Sequence, residues 1–440
     1  MRKDSGVTDT SHFTDTAHFL DDLAWRGLVA VSTDIGALRA ALDGGPITLY
    51  CGFDPTAPSL HLGNLVQILT LRRFQDAGHR PLALVGGATG LIGDPKENSE
   101  RQLNDPQTVA DWVEKIKRQV TPFLDFGGGP AARPAVMVNN LDWTASLSAI
   151  DLLRDVGKHF RVNKMLAKDA VSARLNSDVG ISYTEFSYQI LQGLDFLELY
   201  RRYGCTLQTG GSDQWGNLTA GLDLIHRVEG ASAHALATPL ITKADGTKFG
   251  KTESGTVWLD AAMTSPYAFY QFWINSDDRD VGGYLKIFSL RPRPEIEALE
   301  AAVEQRPAAR EAQRALAEEL TTLVHGATEC AAAVAASAAL FGRGELADLD
   351  EVTLAAALAE TGVVSVAADP LPSVVDVLIA TKLVDSRSAA RRAVVEGGVY
   401  INNQKITDPD AALGSEDLLH GRWLVVRRGK RSVVGARTDS

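Results

Sequence analysis

The sequence predicts an α/β protein: a doubly wound parallel sheet, then a helical domain, then a small α+β domain. Three observations carry this. ITLYCGF, LGNLVQILTLRRFQDAG and RPLALVGGATGLIGD follow one another between Ile47 and Asp94 as buried strand, amphipathic helix and buried strand, the grammar of a βαβ unit. CTLQTGGSDQWGNLTAGLDLIHRV, from Cys205 to Val228, repeats strand, Gly-rich turn and helix. From Pro266 the chain becomes rich in Ala, Glu and Leu at helical spacing, and its last 70 residues return to short mixed elements.

Taken in order, residues 1–21 are polar, lack the apolar stretch of a signal peptide and are expected to form a frayed tail. Residues 22–239 form the α/β domain, with Gly78 placed where the first helix stops. Residues 240–265 are a connecting segment, 266–340 the helical domain, and 341–370 an Ala/Asp-rich linker with one helix. In 371–440, SRSAARRAVVEGGVYINNQKI reads as a helix stopped at Gly397–Gly398, then a strand and a turn.

Composition narrows the class. At 440 residues, with 45% apolar and 22% charged residues, the chain is a soluble protein of several domains. It has no apolar run long enough to span a membrane. Cys51, Cys205 and Cys330 are too scattered for a disulfide framework or a zinc site, so a reducing cytoplasm is expected. The net charge of −11 argues against a nucleic-acid partner, but it is uneven. The first 370 residues carry 33 basic against 47 acidic groups, and the last 70 carry 11 against 8.

Ligands of open α/β sheets bind beyond the carboxyl ends of the strands. Tyr50, Cys51, Gly52 and Asp54 end one predicted strand, Gly86 to Asp94 follow another, and Gly210 to Asn217 follow a third. They form one shared crevice or three ordinary turns; the residues alone leave both open. His61 and Gly63 open a helix, whose free N–H groups favour anions. In TEFSYQILQGLDFLELY, Tyr188, Gln192 and Asp195 share one face of an apolar helix and suit the polar lining of a pocket. KADGTKFGKTESG offers three lysines and three glycines, as a phosphate loop or a solvated turn. It is not a Walker A loop, because only three residues separate Gly246 from Gly250.

Together these stretches resemble class I aminoacyl-tRNA synthetases, and most closely bacterial-type tyrosyl-tRNA synthetases. LYCGFDPTAPSLHLGN, GGATGLIGDP, TEFSYQILQ, GGSDQWGN, TKADGTKFGKTESG and SPYAFYQFWIN match that family in order. The first class signature reads His61-Leu62-Gly63-Asn64, with Asn64 where the family has a second His. The second reads Lys248-Phe249-Gly250-Lys251-Thr252.

The resemblance implies a Rossmann-like catalytic domain and, at the C-terminus, an S4-type RNA-binding domain. It implies that Tyr50 and Asp195 bracket a substrate phenol, and that Tyr188, Gln192 and Asp94 meet its amino group. Gln214 and Asp213 would orient its carboxylate and the ATP ribose. Gly52, Asp54, Thr56, His61, Gly63 and Asn64 would line the ATP site. Thr56 and His61 would donate to the triphosphate, and Lys248, Lys251 and Arg101, the last from the segment that also carries Lys96, would close over pyrophosphate. The substrate carboxylate is the nucleophile, so Cys51 is left a ribose or packing contact. Mg²⁺ would arrive as the ATP complex, with no dedicated metal cluster. Lys382, Arg387, Arg391 and Lys405 would contact tRNA(Tyr), with Arg392 facing elsewhere, and the assembly would be a homodimer.

Rival readings fare worse. GGATGLIGD lacks the G-x-G-x-x-G spacing of a nicotinamide dehydrogenase, and a P-loop NTPase fails on spacing. A non-enzymatic RNA-binding protein on the same fold is opposed by the presence of Gln192, Asp195, Lys248 and Lys251.

Overall fold

The computed structural model describes residues 19–95, 99–178, 180–247, 249–252, 255–429 and 432–439. Apolar runs without polar alternation become strands covered on both faces: RPLALV forms β3 with five consecutive buried residues. β1 (Val31–Ser32), β2 (Thr48–Phe53), β3 (Arg80–Val85), β4 (Val136–Asn139), β5 (Cys205–Gly211) and β6 (His234–Thr238) lie in the order β1-β6-β5-β2-β3-β4. β2 to β6 are parallel. β1, a two-residue strand too short to show a periodicity, pairs antiparallel to β6 at the edge of this parallel sheet. β2 sits between β3 and β5, so strand order reverses beside it, and a crevice opens there at the carboxyl ends.

The helix Leu62–Asp76 begins at this crevice. Its cap is reciprocal: His61 Nδ1 accepts the Gly63 N–H at 3.0 Å and Asn64 Oδ1 accepts the His61 N–H at 3.1 Å. The helix Tyr183–Tyr203 is capped by Ser182 and stopped by left-handed Gly204. It packs closely on the helix Trp215–Glu229, where a Cβ on Gly221 would stand 2.9 Å from a Phe196 ring carbon.

The chain divides into two compact units, and the division differs from the domain boundaries expected above. The first unit takes the described residues up to Met263 together with Asp277–Pro307; the second takes Thr264–Ser276 and Ala308 onward. The expected helical segment 266–340 is therefore split. Buried Arg26 and Arg73 explain part of this. Their guanidinium groups donate to the carbonyls of Lys286, Ile287, Ser289 and Arg291, which end the helix Asp278–Phe288. Phe249 also packs on Tyr284 and Phe288. At the other end, residues 19–21 of the expected tail already belong to the helix Phe19–Trp25.

A hairpin, β7 (Lys251–Thr252) with β8 (Gly255–Thr256), completes the first unit. In the second, β9 (Val363–Val366), β10 (Val399–Ile401), β11 (Gln404–Lys405), β12 (Trp423–Arg428) and β13 (Ser432–Thr438) form a sheet in the order β11-β10-β12-β13-β9. The expected linker thus supplies both the helix Glu351–Thr361 and a strand parallel to β13. Tyr267, Leu340, Leu358 and Trp423 meet in one core, so the helical part and the sheet share a buried centre.

A Gly221→Val variant forces Phe196 off its position and is expected to lose about 1–3 kcal/mol of stability in urea unfolding.

Candidate active site

The crevice is a cavity of about 430 Å³ whose walls come from the strand ends and helix starts named above. Tyr50, Gly52 and Asp54 enter from the end of β2, followed by Thr56; His61, Gly63 and Asn64 from the next helix start. Asp94 and Arg101 enter from the segments after β3; Tyr188, Gln192 and Asp195 from one helix face; Asp213 and Gln214 from beyond β5. These fourteen residues, separate in sequence, line one space.

Its floor is a hydrogen-bond network. Asp195 is 2% exposed and accepts from Asn140 Nδ2 and Trp143 Nε1, each at 2.9 Å. Asn140 also bonds Thr89 Oγ1 at 3.0 Å and accepts the Ala88 N–H at 2.7 Å. Thr89 and the Tyr188 hydroxyl donate to the two oxygens of Asp54 at 2.6 and 2.7 Å. Burial pushes the Asp195 carboxyl up to about 8 and Asp54 up to about 6, against donors that favour the ionised form. Burial likewise raises the Tyr50 phenol, so it stays a neutral hydroxyl. The Tyr188 hydroxyl spends its donor on Asp54 and presents an acceptor oxygen.

Three buried polar atoms of the cavity lining have no partner among the described residues: the Tyr50 hydroxyl, Gln192 Oε1 and Gln208 Oε1. Unpaired buried groups cost free energy, and in a cavity wall they mark where a ligand supplies the bond. On the side wall, Asp94 accepts from Gln214 and Asn217, each at 3.2 Å. Asn217 in turn accepts from Lys168 Nζ at 2.8 Å; burial lowers that ammonium to about 7.

The opposite side is a helix start. His61 Nδ1 is occupied by the Gly63 N–H, so Nε2 carries the proton. Burial, then the charge of Lys251, lowers its pKa and keeps the ring a neutral donor. Main-chain bonds Leu62 N to Val257 O and Val257 N to Gly250 O hold the two signature segments together. Lys251 is exposed on the hairpin and is not part of the cavity wall. Lys248 and Lys96 lie outside the described residues. Cys51 lies in the wall as a thiol pushed up to about 12, its sulfur 4.0 Å from Gln67 Oε1.

The family model "tRNA synthetases class I (W and Y)" matches residues 42–342, and "Tyrosine--tRNA ligase SYY-like C-terminal domain" matches 354–434. The chain is 71% identical over 417 residues to the tyrosine–tRNA ligase of Acidothermus cellulolyticus, an overlap covering 94% of this chain and 98% of that protein. The chain belongs to the tyrosine–tRNA ligase family. The Streptomyces avermitilis ligase is 70% identical over 94% of this chain and 97% of its own length. Among solved structures, the C-terminally truncated mitochondrial tyrosyl-tRNA synthetase of Coccidioides posadasii is 34% identical. It has a TM-score of 0.63 and covers 72% of this chain and 90% of that one.

In this synthetase the partners behind the wall are Thr89 and Asn217, which lie in the stretches assigned above to the strand ends, and Asn140, Trp143 and Lys168, which sequence reasoning missed. Asn140 and Trp143 follow β4 in VMVNNLDW, and the strand-end rule applied to that fourth strand points to them. Nothing in the sequence signals Lys168.

In the second unit, Arg387 and Arg391 already pair with Asp376 and Asp410, whereas Lys382 and Lys405 have no acidic partner among the described residues. A separate groove of about 950 Å³, lined by Arg310, Arg314, Arg343 and Arg427, was not foreseen. There the Arg427 guanidinium lies 4.1 Å from the Tyr400 ring centre. No group of three or more His, Cys, Asp or Glu residues suited to a metal occurs among the described residues, and no described helix is long and apolar enough to cross a membrane.

Asp195 binds a proton more tightly folded than unfolded, so wild-type stability falls as pH rises towards its raised pKa. The Asp195→Asn variant lacks this loss. Urea unfolding is expected to show the difference moving in its favour by up to about 1.4 kcal/mol per pH unit from pH 5 to 7.5, levelling off above pH 8.

Proposed function

We infer that the chain is a tyrosine–tRNA ligase, which activates L-tyrosine with ATP and transfers it to tRNA(Tyr). The observation that carries the substrate choice is the pairing of an unpartnered, buried Tyr50 hydroxyl with the doubly held Asp195 carboxyl group in the same cavity floor. A phenol donates to Asp195 and accepts from Tyr50. Phenylalanine leaves both unpaired, and a site built for a hydroxyl strongly disfavours the analogue without it.

The acceptor oxygens of Tyr188 and Gln192, with Asp94, receive the substrate ammonium. Gln214 and Asp213 orient its carboxylate and the ribose of ATP. That carboxylate attacks the α-phosphorus of Mg·ATP, the bond to the bridging oxygen breaks, and pyrophosphate leaves. A ribose hydroxyl of the terminal adenosine of tRNA(Tyr) then attacks the acyl carbon and releases AMP. Acceleration comes from positioning and charge stabilisation. Thr56, the His61 Nε2–H and Asn64 donate to the triphosphate, Gly52, Gly63 and Asp54 shape its site, and Arg101, Lys248 and Lys251 take the charge of pyrophosphate.

In this reading the tRNA lies on the basic surface of the second unit, through Lys382, Lys405, Arg387 and Arg391, in an S4-type module, and on the arginine-lined groove. The homodimer and the cytoplasmic location follow from the family resemblance; three free cysteines suit a reducing compartment.

Amino-acid-dependent ATP–pyrophosphate exchange, run with tyrosine, phenylalanine and tryptophan, tests the activation step. Exchange is expected with tyrosine alone, and Tyr50→Phe is expected to lower the preference for tyrosine over phenylalanine by about tenfold. Exchange that is equal for all three amino acids, or absent, overturns the reading.

For the tRNA step, Lys405→Ala is expected to weaken tRNA binding and to reduce the slope of log K against log salt by about 1. Arg391→Ala is expected to do less, because its ion pair with Asp410 must break first.

A further inference from the structure

We propose that the buried Arg174–Glu185 ion pair is a positioning device for Arg101, clamping the backbone of residues 99–101 so that the Arg101 guanidinium fork faces the cavity. The proposal rests on the reading of Arg101 as a pyrophosphate contact.

The pair is almost sealed from water, with the Arg174 side chain 1% and the Glu185 side chain 2% exposed. It is bidentate: Nη2 to Oε2 at 2.9 Å and Nη1 to Oε1 at 3.3 Å. Further bonds reach the main chain. Arg174 Nη1 donates to Ser99 O at 2.6 Å and Nε to Gly180 O at 2.7 Å, while Glu185 Oε1 accepts the Arg101 N–H at 3.1 Å. Residues 100–105 form no helix or strand, so these side chains supply bonds that regular structure does not.

Arg101 is then fixed from three sides. Glu185 holds its N–H. Its Nε donates to Asp94 O at 2.8 Å, and its aliphatic stem lies over Gly93, where a Cβ would meet Arg101 Cγ at 3.1 Å. Its two Nη groups have no partner among the described residues, and Arg101 lines the cavity. Four N–H donors are thus left for a ligand. Glu185 lies at the start of the same helix that presents Tyr188, Gln192 and Asp195, so one helix sets both the floor and the height of the arginine fork. A buried ion pair adds little stability over a well-packed apolar pair of similar volume, which leaves geometry as the benefit of this one. Lysine in place of Arg174 does not reproduce the planar fork.

The test compares the full-length wild type with Arg101→Ala, Arg174→Met and the double variant. Each is assayed for the rate of tyrosyl-adenylate formation, for the tyrosine Kd by equilibrium dialysis, and for tyrosyl transfer from preformed adenylate. Arg174→Met is expected to slow adenylate formation on the order of ten- to a hundredfold, with the tyrosine Kd and the transfer step unchanged within about twofold. In the Arg101→Ala background the same substitution is expected to cost less than about threefold, because the group it positions is gone.

Because Arg174→Met strands a buried carboxylate, the Arg174→Met/Glu185→Leu pair, which removes both charges, is run in parallel. It is expected to fold with the same melting temperature within a few degrees and to show the same selective slowing. Equal losses in both backgrounds, a parallel loss of tyrosine binding, or full activity of the apolar pair overturns the proposal. An Arg101→Ala variant with normal adenylate formation overturns the underlying reading of Arg101 itself.

Discussion

A carboxyl group taken out of water must be held by polar partners, and Asp195 is held by two donors. The demand spreads outward from there. Asn140 and Trp143 have to come from beyond the end of β4. Asn140 must be fixed by the main chain after β3, Thr89 links it to Asp54 beyond β2, and Tyr188 returns the chain of bonds to the helix that carries Asp195. Three strand ends and one helix are tied into a single floor. Only a parallel sheet brings these carboxyl ends to the same edge, so the burial of one acidic group and the topology of the sheet depend on each other.

The two sides of the cavity follow different physics. The floor is buried and closely packed, with Gly221 letting the two flanking helices approach until Phe196 fills the gap. Such a surface discriminates by leaving the wrong partner with unpaired groups. The helix-start side relies on His61, Asn64 and main-chain N–H groups, with Lys251 exposed on a hairpin. Such a surface handles charge that appears and departs. The Arg101 segment lies between them, and its bonds to buried Arg174 and Glu185 give a stretch without regular structure the definition of a strand.

The second unit solves a different problem. The chain is acidic as a whole, and its basic excess is local, in the last 70 residues. Its arginines are partly held by aspartates at the surface, where such pairs are weak and readily exchanged. Tyr400 beneath Arg427 gives the groove an aromatic floor as well as charge.

Sequence alone determined the elements and most of the cavity wall. Short apolar runs ending in Gly and Asp are strands, helical spacing marks the helix bearing Tyr188, Gln192 and Asp195, and polar groups at strand ends mark a crevice; these signals are local and survive in one dimension. Fourteen expected residues meet in one cavity for that reason. Tertiary structure decided what stands behind them. Asn140, Trp143, Lys168 and the Arg174–Glu185 pair act through partners tens of residues away, and the Tyr188–Asp54 bond spans more than a hundred; no periodicity records such contacts. It also assigned the helix Asp278–Phe288 to the first unit and drew the expected linker into the second sheet, because buried arginines and a shared apolar core, not composition, determine where a chain divides.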